Sequence, residues 1–274
     1  MFEIDRIIQT ALHEDIGLGD VTTLATVAPG TPGRAQLVAK EDFVLAGIDV
    51  AARVFRLVGE GVAFEKIIAD GRPVNRGQVL AWIKGEAALL LQGERVALNL
   101  LQRMSGIATL TAQYVRAVDG TKATLVDTRK TTPGLRVLEK YAVRMGGGRN
   151  HRTSLYDGIL IKENHIVAAG GIAVAIERAR TRAPHTLRIE IETQNLAEVA
   201  EALEARADII LLDNMDLSML ADAVRLIDGR ALSEASGGVN LDTVRGIAET
   251  GVDFISVGAL THSYRSADIS MLFQ

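Results

Sequence analysis

The 274-residue chain contains no cysteine. Disulfides and thiolate-held metals are therefore excluded, and a reducing compartment is the expected setting. No run approaches the ~20 consecutive apolar residues that a bilayer-crossing helix needs. The opening MFEIDRIIQTALHEDIGLGD carries acids early and has no apolar core, so it does not read as a secretion signal. No GxGxxG follows an early apolar run, which removes the usual dinucleotide fingerprint. Basic charge is in the minority, 30 Lys and Arg against 34 Asp and Glu, for a formal net charge of -4. An extended nucleic-acid-binding face is not expected from that balance. With 48% apolar and 23% charged residues, the chain reads as a soluble cytoplasmic protein of one large α/β domain or two smaller ones.

Within this acidic chain, residues 127–162 concentrate basic charge: DTRKTTPGLRVLEKYAVRMGGGRNHRTSLYDGILIK. Arg129, Lys130, Arg136, Lys140, Arg144, Arg149, Arg152 and Lys162 are joined by His151 and opposed by Asp127, Glu139 and Asp157. A local cationic pocket suits a small polyanion. Part of the stretch has a plainer reading, because Arg136, Lys140 and Arg144 recur every fourth residue, as on a solvated helix face. The ends do not fit that reading. Asp127-Thr128-Arg129-Lys130 follows the β-like run 123–126, and Lys162 closes the apolar run 158–161. Charges placed where buried strands finish point to an active site.

Upstream, Ile4, Ile7, Ile8, Ala11 and Leu12 predict a helix over 3–15, with His13 as a capping or surface residue. Gly17-Leu18-Gly19-Asp20 breaks it. Strand-like patterns at 34–40, 62–69 and 78–84, a short apolar piece at 44–47 and a helical pattern at 50–58 suggest a separate α+β domain. No Pro/Gly/Ser linker follows. A helical pattern runs from 86 to about 104, is interrupted by Ser105-Gly106, and resumes over 107–118. Glu94 and Arg95 on it read, on spacing alone, as an exposed intrahelical pair.

From residue 123 the rhythm changes. β-like runs at 123–126, 159–161, 187–191, 209–212, 231–234 and 254–257 alternate with helical patterns at 172–182, 196–205, 217–227 and 241–250. Serial βα units make a barrel or an open doubly wound sheet, and without a dinucleotide fingerprint the barrel is preferred. Six or seven strands are expected, short of eight.

In such a barrel the functional groups sit at the C-terminal strand ends. In order these ends are Asp127-Thr128-Arg129-Lys130, Lys162-Glu163-Asn164-His165, Glu190-Ile191-Glu192, Asp213-Asn214, Glu234-Ala235-Ser236-Gly237-Gly238 and Gly258-Ala259. Basic ends hold carboxylates by charge-assisted hydrogen bonds. Acidic ends suit sugar hydroxyls or Mg²⁺ arriving with phosphates. Glu190 and Glu192 share strand parity, and sequence leaves open which one faces the site. The glycine-rich turns, one ahead of a helix expected near Leu241 and one with His262 nearby, expose backbone N–H groups to a phosphate.

At these residues the chain resembles the quinolinate phosphoribosyltransferase family of type II phosphoribosyltransferases. HEDIGLGDVTT, ERVALNLLQRMSGIAT, DTRKTTPGLR, EKYAVRMGGGRNHR, DGILIKENHI, ILLDN, EASGGV and TGVDFISVGALTHS stand in the family's order and span essentially the whole chain. The resemblance implies an N-terminal α/β sandwich domain, residues 1–102 joined by 266–274, and an open βα barrel of fewer than eight strands over 103–265. It implies a homodimer in which each subunit covers its partner's barrel mouth. It also implies transfer of phosphoribose from phosphoribosyl pyrophosphate to quinolinate with Mg²⁺, giving nicotinate mononucleotide, pyrophosphate and CO₂ for NAD biosynthesis.

Residue by residue, the resemblance sets Arg129, His151, Arg152 and Lys162 around the quinolinate carboxylates, with Arg95 reaching in from the neighbouring subunit. Lys130 meets the pyrophosphate side. Glu190 and Asp213 lie near the ribose hydroxyls and the metal, which they meet directly or through substrate or water. Lys130, Lys162, Glu190 and Asp213 form the catalytic set. Ser236, Gly237, Gly238, Gly258 and Ala259, with His262, face the 5-phosphate. Two alternatives stand beside this: a Schiff-base aldolase using Lys162, and a repurposed relative of the kind associated with molybdenum transport. A nicotinate-specific transferase is a closer chemical rival, though two carboxylates better match so much basic charge.

Overall fold

The computed structural model describes residues 2–274. The chain opens with helices α1 (Phe2–Ile16) and α2 (Val21–Thr26), strands β1 (Pro32–Ala39) and β2 (Phe43–Val44), and helix α3 (Ile48–Val58). Strands β3 (Ala63–Lys66), β4 (Pro73–Val74) and β5 (Val79–Glu86) lead into helix α4 (Ala87–Ala117). Next come β6 (Thr124–Val126), α5 (Arg136–Met145), β7 (Ile159–Ile161), α6 (Glu163–Ala169) and α7 (Ile172–Arg182). Then β8 (Ile189–Thr193), α8 (Leu196–Glu204), β9 (Ile209–Asp213) and α9 (Leu217–Ile227) alternate. The chain closes with β10 (Leu232–Ser236), α10 (Val244–Glu249), β11 (Phe254–Ser256), α11 (Ala259–His262) and β12 (Ile269–Phe273).

Two compact units result. One holds the chain up to Ala112 with 131–147 and 263–274; the other holds 113–130 and 148–262. Helix α5 counts with the first unit. A buried ion pair ties it to α4: Arg103 reaches Glu139 Oε1 at 2.5 Å, and the Glu139 side chain is wholly buried. Glu139 Oε2 accepts the Thr132 N–H at 3.1 Å, and Tyr141 donates to Asp70 at 2.7 Å. Lys140, expected on a solvated face, is 2% exposed. Arg136 is half-buried and Arg144 is exposed, so the face turns inward only at Lys140.

In the first unit, a four-stranded antiparallel sheet runs β12-β1-β5-β3, and β2 pairs with β4. The C-terminal strand thus joins the N-terminal sheet, with Leu37 opposite Met271. Ile8, Leu37, Phe55, Leu80 and Ile83 are among its fully buried side chains. Helix α2 was not evident in the sequence pattern; Asp20 caps it, accepting from Thr23 N at 3.0 Å. Helix α4 is continuous through Ser105-Gly106, which reads as a break in sequence. Ser105 Oγ accepts the Ala46 N–H at 3.1 Å, and any side chain at Gly106 would fall on the Arg265 carbonyl. These residues are small because neighbours come close, not because the helix ends.

The second unit is an open parallel sheet of six strands, β6-β11-β10-β9-β8-β7. Beyond β6, Arg149 forms one parallel bridge to Val126. Parallel pairing sets Glu192 opposite Leu211, Leu211 opposite Glu234, and Asp213 opposite Ser236. Side chains alternate along a strand, so Glu190, Glu192, Asp213, Glu234 and Ser236 share one face. Ile191, Ile210, Leu212 and Ala235 occupy the other face and are buried. No helix among the described residues is long and apolar enough to cross a membrane.

Arg103→Ala would leave the Glu139 carboxylate buried without its partner. The expected loss is about 3 kcal/mol of unfolding free energy, read by urea denaturation. A loss below ~1 kcal/mol would mean the pair contributes little.

Candidate active site

The polar face of the six-stranded sheet ends in a rim at the C-terminal strand ends. Lys162 directly follows β7, and its ammonium meets Glu192 Oε2 at 2.8 Å. It also begins α6, where His165 Nδ1 accepts the Lys162 backbone N–H at 2.9 Å. Asp213 ends β9 and accepts from the Asn214 amide at 2.7 Å. The following turns interlock: Asn214 N donates to Ser236 O at 2.9 Å, and Gly237 has φ +96° with Asn214 where a Cβ would stand. Only glycine fits both demands. At Gly258 a Cβ would press on Lys130 Cδ at 3.0 Å and His262 Nε2 at 3.2 Å, so those residues converge there. Thr261 Oγ1 holds the Lys130 carbonyl at 2.7 Å. Arg129 and Lys130 are exposed.

Below the rim lies a buried cluster. His151 Nε2 is 3.0 Å from Glu190 Oε2 and 3.8 Å from Glu234 Oε1. Glu190 is 4% exposed and Glu234 3%. Oε1 of each is buried with no hydrogen-bond partner among the described residues. The buried Asp127 carboxylate accepts from His151 N at 2.9 Å and the Asn150 amide at 2.6 Å. Burial and then the Glu190 charge push the Glu234 carboxyl up to about 7, against the pull of His151 and a hydrogen bond from Ser256. Burial, followed by the neighbouring Arg129 charge, lowers the Arg152 guanidinium.

The donor atoms of His151, Glu190 and Glu234 lie within 4.8 Å of one another. They are nevertheless a poor metal set. His151 Nδ1 accepts the Arg152 backbone N–H at 2.7 Å, which leaves the ring proton on Nε2 and no lone pair there for a cation. Asp213 at the rim is better placed for a hard cation, which takes few protein carboxylates and shares substrate oxygens. A cavity of about 390 Å³ adjoins the cluster, lined by His151, Arg152, Glu190 and Glu234 and by Thr186 and Phe254 near strand starts. A larger groove of about 1240 Å³ lies at the N-terminal strand ends, lined by Lys122, Arg188 and Asp253, away from the rim.

Two family models match the chain, the quinolinate phosphoribosyl transferase N-terminal domain over residues 20–105 and its C-terminal domain over 107–272. The chain belongs to this family. It is 44% identical over 269 residues to a probable nicotinate-nucleotide pyrophosphorylase [carboxylating] of Bacillus subtilis, covering 98% of this chain and 93% of that one. A protein of the same name from Synechocystis is 47% identical over 271 residues, covering 98% and 92%. The crystal structure of NadC from Streptococcus pyogenes superposes with a TM-score of 0.96 at 43% identity, covering 100% of this chain and 97% of that one.

The quinolinate phosphoribosyltransferase motifs fall as follows. Lys162, Asp213, Ser236, Gly237, Gly238, Gly258 and Ala259 lie at or just after strand ends, and Lys130 and His262 converge at Gly258. His151 and Arg152 adjoin the cavity. Arg95 is exposed on α4, in the other compact unit. Glu190 differs from expectation. It is the second residue of β8, sealed beneath His151, whereas Glu192 is one residue from the strand's end and meets Lys162. Depth along the strand, not parity, separates the two. The expected helix near Leu241 begins instead at Val244, after a turn in which Asn240 Oδ1 accepts from Asp242 N and Thr243 N. Glu234 was visible in sequence as a strand-end acid, but its burial against Glu190 needed the sheet register.

A carboxyl held near 7 when folded binds its proton more tightly than in the unfolded chain. Stability from this group is present at low pH and declines as pH rises from the ordinary carboxyl value through about 7. The decline is expected to be on the order of 3 kcal/mol and to be absent in Glu234→Gln. Denaturant titrations of both proteins across that range check it, and parallel declines would contradict it.

Proposed function

We infer that this protein transfers the phosphoribosyl group of phosphoribosyl pyrophosphate to quinolinate and removes the 2-carboxylate, giving nicotinate mononucleotide, pyrophosphate and CO₂. The observation that carries the reading is the rim itself. In a chain belonging to this family, basic, acidic and glycine-rich strand ends all open on one sheet face. The cationic groups suit a dicarboxylate, and the glycine turns suit a phosphate.

In this reading Arg129, Arg152 and Lys162 orient the two carboxylates, and His151 supports Arg152. Ser236, Gly237, Gly238, Gly258, Ala259 and His262 receive the 5-phosphate, and Lys130 the pyrophosphate. The pyridine nitrogen attacks the anomeric carbon as pyrophosphate leaves. Positive charge grows on the ribose ring, where Glu192 and Asp213 stabilise it. The pyridinium then accepts the electron pair of the C2–carboxylate bond, CO₂ departs, and C2 takes a proton. Mg²⁺ held with the donor at Asp213 would offset pyrophosphate charge. No protein group forms a covalent bond. A Schiff-base lysine calls for a desolvated ammonium, and Lys162 is instead about half exposed and paired with Glu192.

We further propose a homodimer working in the cytoplasm, with Arg95 completing the partner's site. With quinolinate, phosphoribosyl pyrophosphate and Mg²⁺, Lys162→Ala is expected to lose at least ~100-fold in kcat/KM. Near-normal turnover would remove Lys162 from the site. Mixing inactive Arg95→Ala and Lys162→Ala subunits should restore roughly a quarter of wild-type activity, since mixed dimers carry one intact site. No restoration after subunit exchange would mean that each site is built from one subunit.

A further inference from the structure

The reaction as described leaves two buried acids, Glu190 and Glu234, without a task. Each keeps one oxygen unpartnered among the described residues, in a place where an unsatisfied polar atom is costly. Both face His151, and His151 is tied at both ring nitrogens. Nε2–H is held by Glu190 Oε2 at 3.0 Å, and Nδ1 accepts the Arg152 backbone N–H at 2.7 Å. The Arg152 guanidinium in turn donates to the Gly158 carbonyl at 3.1 Å. A line of hydrogen bonds therefore runs from Glu190 through the imidazole to the backbone N–H of the arginine assigned to the substrate, with Glu234 Oε1 beside it, 3.8 Å from Nε2.

We propose that Glu190 and Glu234 are positioning residues for quinolinate, which fix the backbone of Arg152, and so the root of its side chain, through the His151 imidazole. The proposal rests on the reading of the protein as a quinolinate transferase. Turning the ring would release the Arg152 N–H and loosen the guanidinium, so the loss falls on quinolinate binding and not on the donor.

The two acids also make the arrangement sensitive to pH. The groups facing Glu234 are Glu190 on β8, His151 beyond the Arg149 bridge, Asp127 after β6, and Ser256 on β11, with Arg152 on the same cavity. Two carboxylates against one imidazole do not ionise together cheaply. Glu234, raised to about 7, accordingly keeps its proton below that pH and loses it above. Once charged, Glu234 competes for the single Nε2–H, and the ring is pulled from its bond to Glu190. The adjoining cavity gives solvent protons a route to the pair. Quinolinate KM should therefore rise as pH passes about 7, while the KM for phosphoribosyl pyrophosphate does not follow.

The test combines steady-state kinetics from about pH 6 to about pH 9 with ¹⁵N NMR of the imidazoles, on wild type, Glu190→Ala, Glu190→Gln and Glu234→Gln. Glu190→Ala is expected to raise quinolinate KM roughly tenfold with kcat changed far less, the effect of one lost oriented hydrogen bond to a charged group. Glu190→Gln, whose amide oxygen accepts the same bond, should recover most of that loss. Glu234→Gln should flatten the alkaline rise in quinolinate KM. Unchanged KM in Glu190→Ala, or the wild-type alkaline rise in Glu234→Gln, overturns the proposal. Should Glu190→Ala fail to fold, the two glutamine variants still decide it. Should wild type not use quinolinate, the functional reading fails separately. The ¹⁵N shifts then decide the ring contact: wild type should show bare Nδ1 and protonated Nε2 at His151, and identical shifts in Glu190→Gln and Glu234→Gln above pH ~7 overturn the coupling.

Discussion

The site depends first on the alternation of side chains along parallel strands. Every second residue of β8, β9 and β10 faces the same way, and the register aligns those residues across the sheet. Glu190, Glu192, Asp213, Glu234 and Ser236 reach one face for this reason alone. A slip of one residue in any strand would bury Asp213 or Glu192 among helices and turn Leu212 or Ile191 toward the substrate. Apolar residues on the reverse face resist that slip, so the packing that stabilises the sheet also specifies the site.

Depth along each strand then divides the work. Residues at the strand ends reach the rim, where the half-exposed Lys162 ammonium meets Glu192. Residues nearer the strand starts are sealed, and their charges must be met by other protein groups. The Glu190–His151–Glu234 cluster satisfies that need only in part, and the shortfall appears as a carboxyl raised to about 7. Glycines at 237 and 258 act at the same level as the rim acids, letting Asn214, Lys130 and His262 approach closer than any side chain would permit.

Much of this was legible in sequence because the signals are local. Short apolar runs ending in charge marked β6 and β7, and the spacing of later runs marked the βα series. Arg129, Lys130, Lys162, Asp213 and the glycine turns were placed by their position after those runs. Where pattern and structure differ, the cause is non-local. Ser105-Gly106 has the pattern of a helix break, yet both residues serve contacts with segments distant in the chain. Lys140 has the spacing of a solvated face, and tertiary packing buries it. Glu190 and Glu192 share parity, so no local pattern could assign their depth; the length of β8 does. Helix α2, six residues long, is too short for periodicity to register.

In the proposed reaction this rim binds a pyridine dicarboxylate and removes one carboxylate as the nucleotide forms. The most direct measurement supplies the protein with phosphoribosyl pyrophosphate, Mg²⁺ and quinolinate labelled in the 2-carboxylate, with nicotinate in a parallel reaction. Labelled CO₂ and nicotinate mononucleotide are expected in equal amounts from quinolinate, and none of the nucleotide from nicotinate. Nucleotide formed from nicotinate, or quinolinate bound without CO₂ release, would contradict it.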